Sequence, residues 1–244
     1  VWRKAGMWLG RAWRATGVRC LLGPQIDIST NPTYCRYSGS ASEDPALNRD
    51  FARAFITGMQ STFGDAACTD DQGWGSESIL GMAKHYCGAG AVEGGRNDHT
   101  DGGKYDVFPG DNFKAHLIPF LDGALNLGSK TGATASIMPN YGIAYDENQK
   151  YGENVGGGFS EMRTSYLRNA GWDGMVTTDW QITGDSEPGA FMKNRVWGVE
   201  DLAPDERQLK GLKAGDDQFG GEFDVESLTK AYKSLEAEVG SDEA

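Results

Sequence analysis

The chain has 244 residues, 39% of them apolar, and a formal net charge of -12. That is enough for a sizeable core, in one β/α barrel or two smaller domains, and too acidic to favour nucleic acid or an anionic membrane surface as partner. No run approaches the roughly 20 apolar residues that span a bilayer, nor does the start resemble a signal-peptide core. Cys20, Cys35, Cys68 and Cys87 match no zinc spacing and are too sparse for a disulfide framework, so free thiols are expected. The 35 glycines cluster between periodic runs, which predicts long functional loops.

Trp2, Ala5, Met7, Trp8, Ala12 and Trp13 recur at near-helical spacing before Gly17, which predicts a first helix with Arg3, Lys4, Arg11 and Arg14 on its wet side. The run Cys20-Leu21-Leu22 reads as a strand, followed by an extended loop through Ile28. Asp44-Pro45 opens a helix carrying Leu47, Phe51, Ala54, Phe55 and Met59, broken by Gly64. Residues 64–78 are polar and glycine-rich, 79–86 form a short element ending in Lys84-His85, and 87–111 lack periodicity and read as one long loop.

A helical pattern returns over 112–127, a strand over 133–138 stops at Pro139, and 140–158 is a second long loop. Ser160 caps a helix that stops at Gly171, and Met175 to Thr178 form a strand delivering Asp179 and Trp180 at its end. A third long loop runs through Gly198. Pro204 opens a helix to about Ala214, Asp216 to Phe219 suit a short strand, and 227–239 close the pattern as an amphipathic helix.

The alternation is one helix, then about five strand–helix pairs, with long loops after strands and mostly short ones after helices. That asymmetry predicts an α/β fold of the (β/α)8 TIM-type barrel class, with an open flavodoxin-like sheet as the alternative. No glycine fingerprint for a dinucleotide follows any strand. Asp98, His99, Asp101 and His116 share no ligand spacing, so neither cofactor nor metal is expected. Residues at successive strand ends are Asn31 and Arg36, then Lys84, His85 and Arg96, then Tyr141, then Asp179 and Trp180. Cations and donors grip hydroxyls, aromatic rings stack on a sugar face, and one carboxylate can face an anomeric carbon, so the set suits a neutral saccharide.

Several segments in order carry a family resemblance. Leu22-Gly23-Pro24-Gln25-Ile26-Asp27-Ile28, Asn31-Pro32 with Arg36, Ser42-Glu43-Asp44-Pro45, Ala83-Lys84-His85-Tyr86, Glu93-Gly94-Gly95-Arg96, Met138-Pro139-Asn140-Tyr141, Thr178-Asp179-Trp180 and Ala214-Gly215-Asp216-Asp217 resemble the signature segments of glycoside hydrolase family 3. The resemblance implies a retaining exo-β-glycosidase, most simply a β-glucosidase, with Asp179 as nucleophile and its substrate an oligosaccharide or β-glucoside. By the same likeness Arg36, Lys84, His85 and Arg96 hold sugar hydroxyls, Tyr141 orients the nucleophile and Trp180 walls the pocket.

Asn31-Pro32 and Thr33-Tyr34 depart from that family's Asp-Pro and Arg-Trp. Residues 1–244 are read as a partial (β/α)8 catalytic domain, lacking the first strand or strands and the following α/β domain on which two-domain members carry the acid/base. Two other readings stand beside this one: a β-N-acetylglucosaminidase using His99 with Asp98 or Asp101 as acid/base, and a non-catalytic sugar-binding or truncated barrel. The likeness favours periplasm or secretion over cytoplasm and leaves a homo-oligomer open.

Overall fold

The computed structural model describes residues 1–186 and 194–240. Helix α1 (Trp2–Ala15) is followed by β1 (Cys20–Leu21) and α2 (Pro45–Gln60), whose N-cap Asp44 accepts from the backbone N–H groups of Ala46 and Leu47. A hairpin of β2 (Thr62–Phe63) and β3 (Asp71–Gly73) precedes the seven-residue strand β4 (Leu80–Tyr86). Then come β5 (Tyr105–Asp106), α3 (Phe113–Ile118) continued by a wider turn over Pro119–Ala124, β6 (Ser136–Pro139), β7 (Ile143–Ala144) and α4 (Glu161–Asn169). The chain ends in β8 (Met175–Val176), α5 (Pro204–Ala214) and α6 (Val225–Val239).

The main sheet is parallel, in the order β1-β4-β6-β8, and Thr177 pairs with Gln218 to extend it by one more parallel position. Successive strands are thus spatial neighbours with no reversal of order. A flavodoxin-like sheet reverses at its switch point, whereas a singly wound barrel does not, so the observed order is that of the (β/α)8 type. The main core lies between sheet and helices and includes Ile26, Ile56, Phe120, Ile137, Leu167 and Val176. A second cluster of Ile143, Val155, Phe159, Ile182, Trp197 and Val199 packs around Tyr141.

Three expectations need correction. The α1 helix crosses α2 at Gly6, Met7 and Gly10 rather than at its tryptophans: a Cβ on Gly6 would collide with the Phe55 carbonyl, and one on Gly58 with that of Arg3. So close a crossing keeps indoles from its centre: Trp8 stays about half exposed, and Trp2, similarly exposed, meets α2 edge to face on Phe51 at 5.0 Å. Its basic side is not simply solvated, since Arg11 pairs with Glu77 and Arg14 donates to the Ser78 carbonyl. The strands β3, β5 and β7 lie where only loop was expected, and β2 takes the residues just before Gly64, where the helix was expected to end. Pairs of two or three residues carry too little sequence to show a period.

His116, on α3, is buried beside the Phe108 ring, and burial pushes its imidazole down to about 4. The unfolded chain takes up that proton near pH 6.5 and the folded chain refuses it, so stability is full above that point and falls as pH drops toward 4, by about 3 kcal/mol in all. Replacing His116 by phenylalanine keeps the ring packing and removes the proton site. The variant is expected to lose less melting temperature than the parent between pH 7.5 and 4.5, and equal losses would show that another group sets the acid limb.

Candidate active site

The strand ends converge on Asp179. Val176 holds the last ladder position of β8, and the chain then turns so that the Asp179 carboxylate is only 13% exposed. Its Oδ1 accepts from the Tyr141 hydroxyl at 2.8 Å and from the Trp180 backbone N–H at 2.7 Å. Tyr141 follows β6, the adjacent strand, which is why its hydroxyl reaches across. Burial and the Asp179 charge push the Tyr141 phenol up, so it is a firm hydrogen donor.

From β4, on the far side of β6, come Lys84 and His85. The ladder to β6 shifts between Lys84 and Tyr86. The buried His85 ring places Nε2 3.7 Å from Asp179 Oδ2, and Nε2 has no hydrogen-bond partner among the described protein atoms. On its far side Nδ1 meets Asp27 Oδ2 at 3.0 Å, while Asp27 Oδ1 accepts from the His85 backbone N–H at 2.7 Å. Asp27 thereby fixes both the ring plane and the tautomer. Desolvation pulls the Lys84 ammonium down, Asp179 and Asp27 pull it back up, and the Arg36 guanidinium pushes it further down. Arg36 is therefore an electrostatic neighbour of the same pocket.

Trp180 lies flat on a Gly220-Gly221 step that only glycine permits: Gly221 has φ +67°, and a Cβ there would collide with the indole. The indole, 38% exposed, forms a wall open to a ligand.

The structure thus brings Lys84, His85, Tyr141, Asp179 and Trp180 together, with Arg36 nearby. Arg96 is turned elsewhere. Gly94 and Gly95 both adopt positive φ and fold the loop back, and the Arg96 guanidinium meets Glu93 Oε2 at 3.4 Å and the Gly102 carbonyl at 3.2 Å, its side chain 59% exposed. Asn31 serves a turn, accepting from the Thr33 N–H and hydroxyl.

Two residues of this site were not singled out from sequence. Asp27 carried a usable signal, a lone carboxylate between Ile26 and Ile28 in an otherwise buried run. Arg195 carried none. It comes from the third long loop, donates to the Tyr141 hydroxyl at 3.1 Å and places its guanidinium 4.8 Å from that ring's centre. Residues 187–193 of the same loop lie outside the described residues. On the other side of Tyr141 stands His99, rings 4.8 Å apart and edge to face, its Nδ1 3.0 Å from the buried Asp98 carboxylate.

Residues 1–219 match the family described as glycosyl hydrolase family 3 N terminal domain. The chain is 35% identical over 235 residues to the periplasmic beta-glucosidase/beta-xylosidase of Dickeya chrysanthemi, covering 91% of this chain and 34% of that protein. It is 37% identical over 222 residues to beta-glucosidase C of Emericella nidulans, covering 90% and 33%. The chain therefore spans about a third of the length of these relatives. In fold it resembles a beta-glucosidase involved in saponin metabolism from intestinal bacteria (TM-score 0.71, 21% identity, 99% of this chain and 28% of that one). An exo-1,3/1,4-beta-glucanase from a Pseudoalteromonas species is similar too (TM-score 0.69, 19% identity, 99% and 26%). With nine-tenths of its length matched by one family, and the parallel strand order that goes with it, this chain belongs to glycosyl hydrolase family 3, as a TIM-type N-terminal domain.

Proposed function

We propose that this chain supplies the nucleophile side of a retaining exo-β-glycosidase acting on terminal β-linked glucose. The observation that carries the reading is the Asp179 carboxylate, held by Tyr141 on Oδ1 with Oδ2 beside His85 and in the field of Lys84. Such a carboxylate can attack an anomeric carbon through Oδ2 while its other oxygen stays anchored. The bond from that carbon to the leaving oxygen breaks as the ester forms, and an acid outside this chain protonates the departing oxygen. Water then attacks the same carbon, the former acid removes its proton, and Asp179 is released.

Lys84, Arg36 and His85 grip the sugar hydroxyls. A hydroxyl that donates to His85 Nε2 gives this buried nitrogen a partner. Arg96 joins them by leaving Glu93, an exposed pair whose loss costs about 1 kcal/mol or less. Trp180 covers the apolar ring face. The Dickeya relative's name favours a periplasmic or exported protein.

The His99–Asp98 pair favours a second reading, an N-acetylglucosaminidase with His99 as acid/base, because it is a formed dyad beside Tyr141. The experiment that separates them follows, in the full-length protein, the hydrolysis of nitrophenyl β-glucoside and N-acetyl-β-glucosaminide, with the first-formed anomer read by NMR. The glucoside is expected to be preferred, with β-glucose formed first and a His99→Ala variant within about tenfold of the parent. Preference for the N-acetyl sugar with a large loss in that variant would install the second reading, and α-anomer formed first would end the first.

A further inference from the structure

Beneath the loop that carries Tyr141 runs a polar chain which the proposed reaction does not use. Asp106 is 0% exposed, Asn140 2% and Arg163 1%. Asp106 Oδ2 accepts from Asn140 Nδ2 at 2.6 Å, and Asn140 Oδ1 accepts from Arg163 Nη1 at 2.8 Å. The same guanidinium donates to the Gly142 carbonyl at 3.1 Å and, through Nη2, to the Val155 carbonyl at 2.8 Å. Asn140 and Gly142 are the two residues flanking Tyr141. A third tie comes from β5 and β7, where Asp106 is the register partner of Ala144.

We propose that Asp106, Asn140 and Arg163 form a buried brace whose function is to set the Tyr141 hydroxyl against Asp179, making them positioning residues for the nucleophile. The inference rests on the reading of Asp179 given above. Three polar side chains in this space cost desolvation that well-packed apolar residues of similar volume would avoid, so stability alone is a poor reason for them. What they supply is direction. The guanidinium is a rigid planar fork, and three of its donor contacts end on the Asn140 side-chain oxygen and the Gly142 carbonyl, so the residues before and after Tyr141 are tied to one group. The fit admits no slack, since a Cβ on Gly142 would collide with the Asp106 carboxylate. Errors at this point pass directly to Asp179, because the Tyr141 hydroxyl is its only side-chain donor among the described hydrogen bonds.

Burial pushes the Asp106 carboxyl up, with Arg163 and Asn140 opposing, so a neutral amide is a fair substitute there. Asp106→Asn is therefore the conservative control, and Arg163→Met and Asn140→Ala are the disruptive variants, the latter removing only one amide in case the former fails to fold. Tyr141 is followed by fluorine NMR of 3-fluorotyrosine-labelled chain, its signal assigned by Tyr141→Phe. Reaction of Asp179 with a dinitrophenyl 2-fluoro-β-glucoside, which carries its own good leaving group, is followed by intact mass.

The parent and Asp106→Asn are expected to keep the Tyr141 phenol protonated to higher pH than free fluorotyrosine. In Arg163→Met and Asn140→Ala that gap closes by at least half, and the maximal labelling rate falls about tenfold while the probe concentration for half-maximal rate stays within about twofold. Parent-like Tyr141 titration and labelling in both disruptive variants would overturn the brace. If the titration shifts as expected but the parent is not labelled on Asp179, the brace stands and the nucleophile assignment falls.

Discussion

Replacing Asp179 by alanine is expected to lower hydrolysis of nitrophenyl β-glucoside by the full-length protein about 10⁴-fold, with melting temperature nearly unchanged. The fold tolerates the loss because the Tyr141 hydroxyl already reaches a second acceptor, the Trp180 carbonyl at 2.9 Å. The chemistry does not, since Asp27, the carboxylate on the far side of His85, has both its oxygens held by that residue. Azide should restore part of the rate in the alanine variant by entering the space left by the carboxylate, attacking the anomeric carbon and yielding an α-glycosyl azide. Asp179→Asn fills that space with a poor nucleophile, and azide should not rescue it. A rate within about tenfold of the parent in either variant would exclude Asp179 as nucleophile.

The second large effect is expected at Asp27, which touches no substrate in this account. Asp27→Ala leaves the His85 N–H and Nδ1 buried without acceptors and should cost about 2–4 kcal/mol of stability, read from denaturant unfolding. Asp27→Asn is the sharper test. Its Oδ1 still accepts from the His85 N–H, but its Nδ2 donates to Nδ1 and forces the opposite tautomer, so Nε2 becomes a donor aimed at Asp179. The asparagine variant should unfold within about 1.5 kcal/mol of the parent yet lose about 10²-fold or more in kcat/KM. Retained activity in a folded Asp27→Asn would mean that the tautomer of His85 is irrelevant to turnover.

How much of this was legible in the sequence depends on the length over which each feature is encoded. The helices from Pro45 and Pro204 begin at the predicted residues because a proline in the first turn and, at the former, a capping Asp44 act locally. Parallel strands followed from alternation, since right-handed crossovers leave few choices, whereas the order that separates a barrel from a flavodoxin-like sheet rested on the asymmetry of loop lengths. Of the residues read from strand ends, Lys84, His85, Tyr141, Asp179 and Trp180 do lie together where β4, β6 and β8 terminate.

What escaped depends on packing between distant segments. The exposure of Trp8 is set by glycines on two helices, one of them Gly58. The outward turn of Arg96 is set by two left-handed glycines and an acidic neighbour, although Glu93-Gly94-Gly95 stood beside it in the sequence. Arg195 reaches Tyr141 from a residue 54 positions away, and no local pattern marks such a contact.

Trapping reads directly whether Asp179 forms the covalent bond. The full-length protein is incubated with the dinitrophenyl 2-fluoro-β-glucoside, digested, and the modified peptide sequenced by tandem mass spectrometry. One fluoroglucosyl group per chain is expected, as an ester on Asp179 in the peptide containing Thr177-Thr178-Asp179-Trp180, and none in Asp179→Asn. A label carried by any other residue, or undiminished labelling of Asp179→Asn, would contradict it.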